Sequence, residues 1–195
     1  MMMAQIQRDK DRFDLAPKKF SMWIFVFASF MMFAALTSGF IVYSGGHKVH
    51  GTKIILPHAF IYSTAVIIVS SITLWLSSLA AKRLEFDRQR LLLWVTAMLG
   101  VSFFIIQIYA WSVLVRMGVY FVNPNASQSF IYVFTGMHLL HIIGGLALLF
   151  YAIGGSYKNI GQVRNQFRME FASIFWHFID IIWIYLYVFL LLNQY

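Results

Sequence analysis

Cysteine is absent from this chain of 195 residues, proline occurs three times, and charged residues make up only 11%. Without thiols there is no disulfide, no thiolate chemistry and no cysteine-held metal. A soluble domain carries roughly 25% charged residues, so a water-facing surface of ordinary composition is excluded. Nucleotide and hydrolase signatures are missing as well. The sequence contains no Walker A run, no Rossmann glycine fingerprint, no HExxH and no G-x-S-x-G elbow. No row of charged residues threads several apolar runs as a transporter path would, and nothing assembles a self-contained catalytic constellation. The formal charge of +8 invites nucleic acid as a partner. The basic residues, however, lie in short segments between apolar runs, where an anionic membrane surface suits them better.

What the sequence has instead is apolar bulk: 61% hydrophobic residues, with 20 Phe, 10 Tyr and 6 Trp. A bilayer is the natural solvent for that surface. Five stretches, about 20–44, 57–81, 91–115, 129–153 and 171–193, are long enough to cross it, since roughly 20 helical residues cover a hydrocarbon core of about 30 Å. Backbone groups must bond internally in lipid, which favours helices, and no stretch alternates like a barrel strand. The expected fold is therefore all-α: a single membrane domain over 1–195 with five transmembrane helices. The polar start MMMAQIQRDKDRFDLAPKKF does not resemble a cleaved signal, so the first run is expected to be retained as a helix. No internal repeat is evident. Pro57, Asn123-Pro124-Asn125, Gly154-Gly155 and Asn193 mark expected helix ends and turns.

The loops predict orientation. Arg8, Lys10, Arg12, Lys18 and Lys19 precede the first run; Lys82, Arg83, Arg88 and Arg90 follow the second; Lys158, Arg164 and Arg168 follow the fourth. Only Lys48, Lys53 and Arg116 fall on the other side. The positive-inside rule then places the N-terminus in the cytoplasm and the C-terminus outside.

Ionisable groups cost about 2.5–3.5 kcal/mol at a helix centre even on insertion scales, so the few that are present carry the most information. They are His138 and His141 in the fourth run, and His177 and Asp180 in the fifth, with Glu170 at its mouth. Residues three apart share a side of a helix. Counted from the basic ends at about 1.5 Å per residue, His141 lies about 18 Å deep, Asp180 about 15 Å and His177 about 10 Å. The match predicts an Asp180–His141 contact. The plainest role for these groups is to hold helices together; lipid-headgroup or proton handling and haem ligation are the alternatives. Gln107 is expected to bond between helices. Ser70, Ser71 and Thr73 are expected to bond their own backbone. Gly144 and Gly145 thin the fourth helix for close packing. Trp23, Trp94 and Trp111 suit interfacial belts. His47, His50 and His58 read as solvated histidines near the outer loop.

Two segments carry a family resemblance. TGMHLLHIIGG (135–145) resembles the histidine-bearing fourth helix of the five-helix form of cytochrome c oxidase subunit III. MEFASIFWHFIDIIWIYLY (169–187) resembles that family's last helix, with Glu170, Trp176, His177, Asp180 and Trp183 in place. MWIFVFASFMMFAAL (22–36), SSITLW (70–75) and the set Gly100, Gln107 and Trp111 extend the similarity over nearly the whole chain. There are departures: Phe30 stands where the family's membrane glutamate is expected, Ala110 where an acid is frequent, and Ser63-Thr64 where an asparagine–threonine pair is common.

The resemblance implies a non-redox accessory subunit of a respiratory haem–copper terminal oxidase in a bacterial inner membrane. Its partners would be the large subunit I, which holds the haems and the binuclear copper centre, and subunit II, with a small subunit IV and a respiratory supercomplex as further assembly. It also implies a V with the first two helices as one arm and the last three as the other, and phospholipid in the cleft. His138, His141, Glu170, His177, Asp180, Trp176, Trp183 and Gln107 would hold the second arm or shape the cleft, or serve protons; Lys82, Arg83 and Arg168 would meet lipid phosphates. Phe30 weakens the proton role. The same resemblance admits an accessory subunit of a quinol oxidase or a nitric oxide reductase. Outside it stand an independent haem b membrane protein and a transporter.

Overall fold

The computed structural model describes residues 2–46, 57–122, 126–157 and 162–193, with side chains over 16–44, 57–122, 128–157 and 163–193. Among these there are five helices: α1 Met2–Gly46, α2 Ala59–Lys82, α3 Phe86–Arg116, α4 Ala126–Tyr157 and α5 Gln162–Leu192. Each contains a stretch long and apolar enough to cross a membrane. All five expected spans are therefore present, but most helices run past the apolar limits. α5 starts at Gln162 rather than near 171, because the polar turn before Glu170 keeps its backbone bonded as helix. Gly154-Gly155 does not end α4, which continues to Tyr157. Gly155 serves packing instead: a Cβ there would stand 2.9 Å from the Arg168 guanidinium. The Pro57 carbonyl accepts from Phe60 N at 3.0 Å and so opens α2. Gly118, with φ +81°, closes α3 while Val119 N reaches back to Leu114 O at 3.0 Å. Asn193 bonds back to Phe189 O at the end of α5. Asn123-Pro124-Asn125, His47 and His50 lie outside the described residues.

Buried positions recur at alternating spacings of three and four. On α2 they are Phe60, Ser63, Ile67, Ser70, Leu74, Ser77 and Ala81. On α3 the series is Gln89, Leu93, Thr96, Gly100, Phe103, Gln107, Ala110 and Leu114. α5 repeats it with Met169, Ala172, Trp176, Ile179, Trp183, Leu186 and Leu190. Such a seam packs helices nearly antiparallel, as in coiled coils and membrane bundles. Consecutive helices α2, α3, α4 and α5 close into a ring, since α5 also packs on α2, and α1 lies across α4 and α5.

The expected pairing of α1 with α2 as one arm of a V is not formed. Among the described residues the backbones of α1 and α2 do not approach one another. Polar side chains explain the difference. Those of α1 pair with α4 and α5: Lys19 with Glu170, Ser29 with His141, and Thr37 with Tyr185. The hydroxyls of α2 meet α5 and α3. The outer face is largely apolar; at most 44% of any span's most apolar window is buried within the chain. Only a hydrocarbon solvent or apolar partners suit such a surface.

Candidate functional site

The seam between α2 and α5 carries most of the polar residues singled out above. Serine and threonine pairs stand on α2 at 63–64, 70–71 and 77–78, seven residues apart, so they form one stripe. Thr64 Oγ1 donates to Phe60 O at 2.7 Å, and Ser70 Oγ makes the expected bond to its own backbone, to Ile67 O at 2.7 Å. Each oxygen also accepts from α5: Trp183 Nε1 reaches Thr64 Oγ1 at 3.1 Å and Trp176 Nε1 reaches Ser70 Oγ at 3.1 Å. Between them, Ser71 Oγ and His177 Nδ1 lie 2.7 Å apart. Thr73 does more than bond its own helix, because its Oγ1 is 2.9 Å from Thr96 Oγ1 of α3.

Trp176 is fully buried and held by three neighbouring helices, α2, α3 and α4. A Cβ at Gly100 on α3 would stand 2.6 Å from its Cη2, and one at Gly145 on α4 would stand 2.9 Å from its Cε3. Two glycines therefore cut the slot that the indole fills. Trp183 lies two turns further along. It stacks on Phe60 at 6.0 Å between centroids and meets Phe103 edge-on at 4.9 Å.

The two histidines of α4 diverge rather than share one neighbour. Three residues advance a helix by about 300°, which leaves them about 60° apart, enough to aim them across different helix boundaries. His138 is fully buried against Trp183 and Phe103, with ring centroids at 4.9 and 5.7 Å. Its nitrogens have no protein partner among the described residues, and neither do the amide atoms of buried Gln107. The interhelical bond expected of Gln107 is thus not made. His141 turns to α1, with Nε2 3.2 Å from Ser29 Oγ, Nδ1 2.8 Å from Met137 O, and its ring beside Phe25 and Phe33. The expected Asp180–His141 contact is not present. Equal depth does not set the direction in which a side chain points, and Asp180 faces α2. It is 4% exposed, its carboxyl group sits beside the Ser71 hydroxyl without a well-formed hydrogen bond from any described residue, and it lines a cavity of about 470 Å³ with Ser71 and His177.

At the basic ends of the helices the candidate residues separate. Glu170 pairs with Lys19 at 3.0 Å, both about half exposed. Arg168 lies over the Tyr151 ring at 4.0 Å and lines a cavity of about 510 Å³ between α1, α4 and α5. Lys18 lines that cavity too, together with Met22, Phe25, Leu148 and Phe171. Lys82 lies elsewhere, beside Gln166 and Glu170 in a small recess at the foot of α2 and α5, and exposed Arg83 caps α2. Ser29 and Lys18 were not singled out in the sequence. Lys18 appeared there only as one cation of a run, and Ser29 carried no mark beside Phe30, which is 50% exposed. Trp111 is no simple belt residue, since its Nε1 donates to Thr135 Oγ1 at 2.9 Å. Trp23 and Trp94 do face outward. Among the described residues no three His, Asp or Glu side chains converge as a metal site.

Five apolar helices knitted by hydrogen bonds within the membrane define the class, a polytopic α-helical membrane protein. The chain belongs to the cytochrome c oxidase subunit III family, the third subunit of haem–copper oxidases; the model of that family matches residues 6–194. The chain is 30% identical over 172 residues to cytochrome c oxidase subunit 3 of Thermostichus vulcanus, covering 86% of this chain and 83% of that one. It is 29% identical over 168 residues to the cytochrome bo(3) ubiquinol oxidase subunit 3 of Pseudomonas aeruginosa, covering 85% and 79%. A third relative, cytochrome c oxidase subunit 3 of Alkalihalophilus pseudofirmus, is 26% identical over 168 residues, covering 85% and 81%.

Proposed function

We propose that this chain is a non-redox accessory subunit of a respiratory terminal oxidase that steadies the catalytic subunit and holds phospholipid in the cleft between α1, α4 and α5. The observation that carries the lipid part is the pairing of Lys18 and Arg168 on one apolar cleft of about 510 Å³. Two cations beside aromatic and aliphatic walls suit a phosphate and its acyl chains. Arg168 is held over Tyr151, which pre-orients its guanidinium. Haem and copper belong to the partner subunits I and II in this reading, and oxygen reduction and proton translocation to the complex. The basic ends of the helices face the cytoplasm of a bacterial inner membrane, in keeping with the bacterial relatives named above. His138, His141, His177, Trp176 and Trp183 serve as fixtures between helices.

Gentle-detergent purification of the tagged chain tests this, with visible spectroscopy, oxygen uptake and lipid mass spectrometry on one sample. The expected result is a large haem-bearing subunit, oxygen consumption, and an anionic phospholipid that is lost from a Lys18→Ala/Arg168→Ala variant. The identity of the second subunit then names the electron donor. A chain that arrives alone carrying its own haem overturns the proposal.

A further inference from the structure

The cavity between α2 and α5 is separate from the lipid cleft and is built differently. Its floor is polar: Ser71, His177 and Asp180. Its rim is apolar and outward-facing, with Ile72 53%, Trp75 56% and Ile181 64% exposed, so it opens sideways toward the membrane. Asp180 is 4% exposed; the Ser71 hydroxyl stands beside its carboxyl group but is already 2.7 Å from His177 Nδ1, and neither Asp180 oxygen makes a well-formed hydrogen bond among the described residues. His177 spends Nδ1 on Ser71.

The chemistry of this floor narrows the occupant. Leaving a buried polar group unbonded in an apolar medium is strongly unfavourable. An acyl chain offers a carboxyl group nothing. A phosphate is tied to the interface, and this lining offers it no lysine or arginine. Asp180 lies ten residues along α5 from Glu170, which is about 15 Å at helical rise, near the middle of a hydrocarbon core about 30 Å thick. The occupant must therefore be neutral, reside within the hydrocarbon, and offer hydrogen-bonding atoms to a carboxyl group. The indole of Trp75 at the rim offers a face on which a flat ring can stack. The volume, about 470 Å³, lies within the range of small-molecule pockets.

We propose that this cavity binds a neutral ring amphiphile of the hydroquinone class. One phenolic hydroxyl donates to Asp180, His177 meets a second polar atom of the ring, and the hydrocarbon tail leaves between α2 and α5. Binding alone is assigned; no electron transfer occurs in this chain. The proposal goes beyond the oxidase role, and co-purification of the complex is read separately from it.

The test uses the intact complex in phosphatidylcholine nanodiscs with a photoreactive azido-benzoquinol of short alkyl tail. Label is expected on residues 68–75 and 177–184. Decylhydroquinone should compete at least about tenfold better than its dimethyl ether, which keeps the ring and tail and loses both donors, because one hydrogen bond to a charged or buried group is worth that much. Asp180→Leu should lower labelling about tenfold. Ile184→Trp, which fills the rim without touching the carboxyl group, should lower it similarly while leaving the complex assembled. Equal competition by the ether would show partition of an apolar ring only and overturn the proposal. So would full labelling of an assembled Ile184→Trp variant, or an absence of label from both segments in the complex.

Discussion

The Trp176 indole Nε1 donates to Ser70 Oγ at 3.1 Å, while its ring lies where the Cβ atoms of Gly100 and Gly145 would otherwise stand. One side chain of α5 thereby touches α2, α3 and α4. In lipid, helices gain nothing from water exclusion, so close van der Waals packing and hydrogen bonds must hold them. A large indole in a slot cut by glycines supplies both.

Gly100→Ala and Gly145→Ala should each destabilise the bundle by about 1–3 kcal/mol, the usual cost of overpacking. Their Cβ atoms would meet Trp176 at 2.6 and 2.9 Å, and neither the rigid ring nor the helix backbones can yield cheaply. Gly154→Ala is the control, because nothing lies within 4 Å of its Cβ position and alanine is the better helix former. Mild-detergent thermal unfolding of the purified protein measures this. Equal melting of all three variants would show that the slot is looser than these distances state.

Trp183 and Thr64 make the second such bond, at 3.1 Å. Trp183→Phe removes the donor and keeps a ring; Thr64→Val removes the acceptor and keeps the shape. A double-mutant cycle should give a coupling of about 0.6 kcal/mol, with about 1.7 as the upper end seen for intramembrane bonds. The Lys19–Glu170 pair, half exposed on both sides, should couple less, within about 1 kcal/mol and falling with salt. A salt-sensitive Trp183–Thr64 coupling would contradict the buried bond.

Much of the bundle was legible because the signals were one-dimensional. Apolar length located the five spans, and the spacing of Ser63, Ser70 and Ser77 at seven residues contains the α2 seam. The glycine–tryptophan slot was half visible: Gly145 was marked for close packing and Trp176 by resemblance, yet nothing joined them. What failed needed azimuth as well as depth. His141 and Asp180 stand at similar heights, but one faces Ser29 on α1 and the other faces α2. The pairing of α1 with α2 failed for a related reason, because partners of Lys19, Ser29 and Thr37 lie more than a hundred residues away along the chain. The departure at Phe30 also changes meaning. Its side chain is half exposed, whereas the neighbour that meets His141 is Ser29.

Orientation can be read directly, because a chain with no cysteine needs no background substitutions. Arg88 and Met117 are exposed near opposite ends of α3, outside the closely packed seam. With twelve of the fifteen basic residues assigned to one side of the membrane, Arg88→Cys should react with a membrane-impermeant maleimide only in inside-out vesicles. Met117→Cys should react only in intact spheroplasts. The helix between them is 31 residues long, about 46 Å at helical rise, which exceeds a hydrocarbon core of about 30 Å and leaves both sites in water. Labelling of both cysteines from one side would mean that α3 does not span. The reverse pattern would mean that the basic loops are exported, and it would move Lys18 and Arg168 to the outer leaflet, where the anionic lipid proposed for their cleft is scarcer.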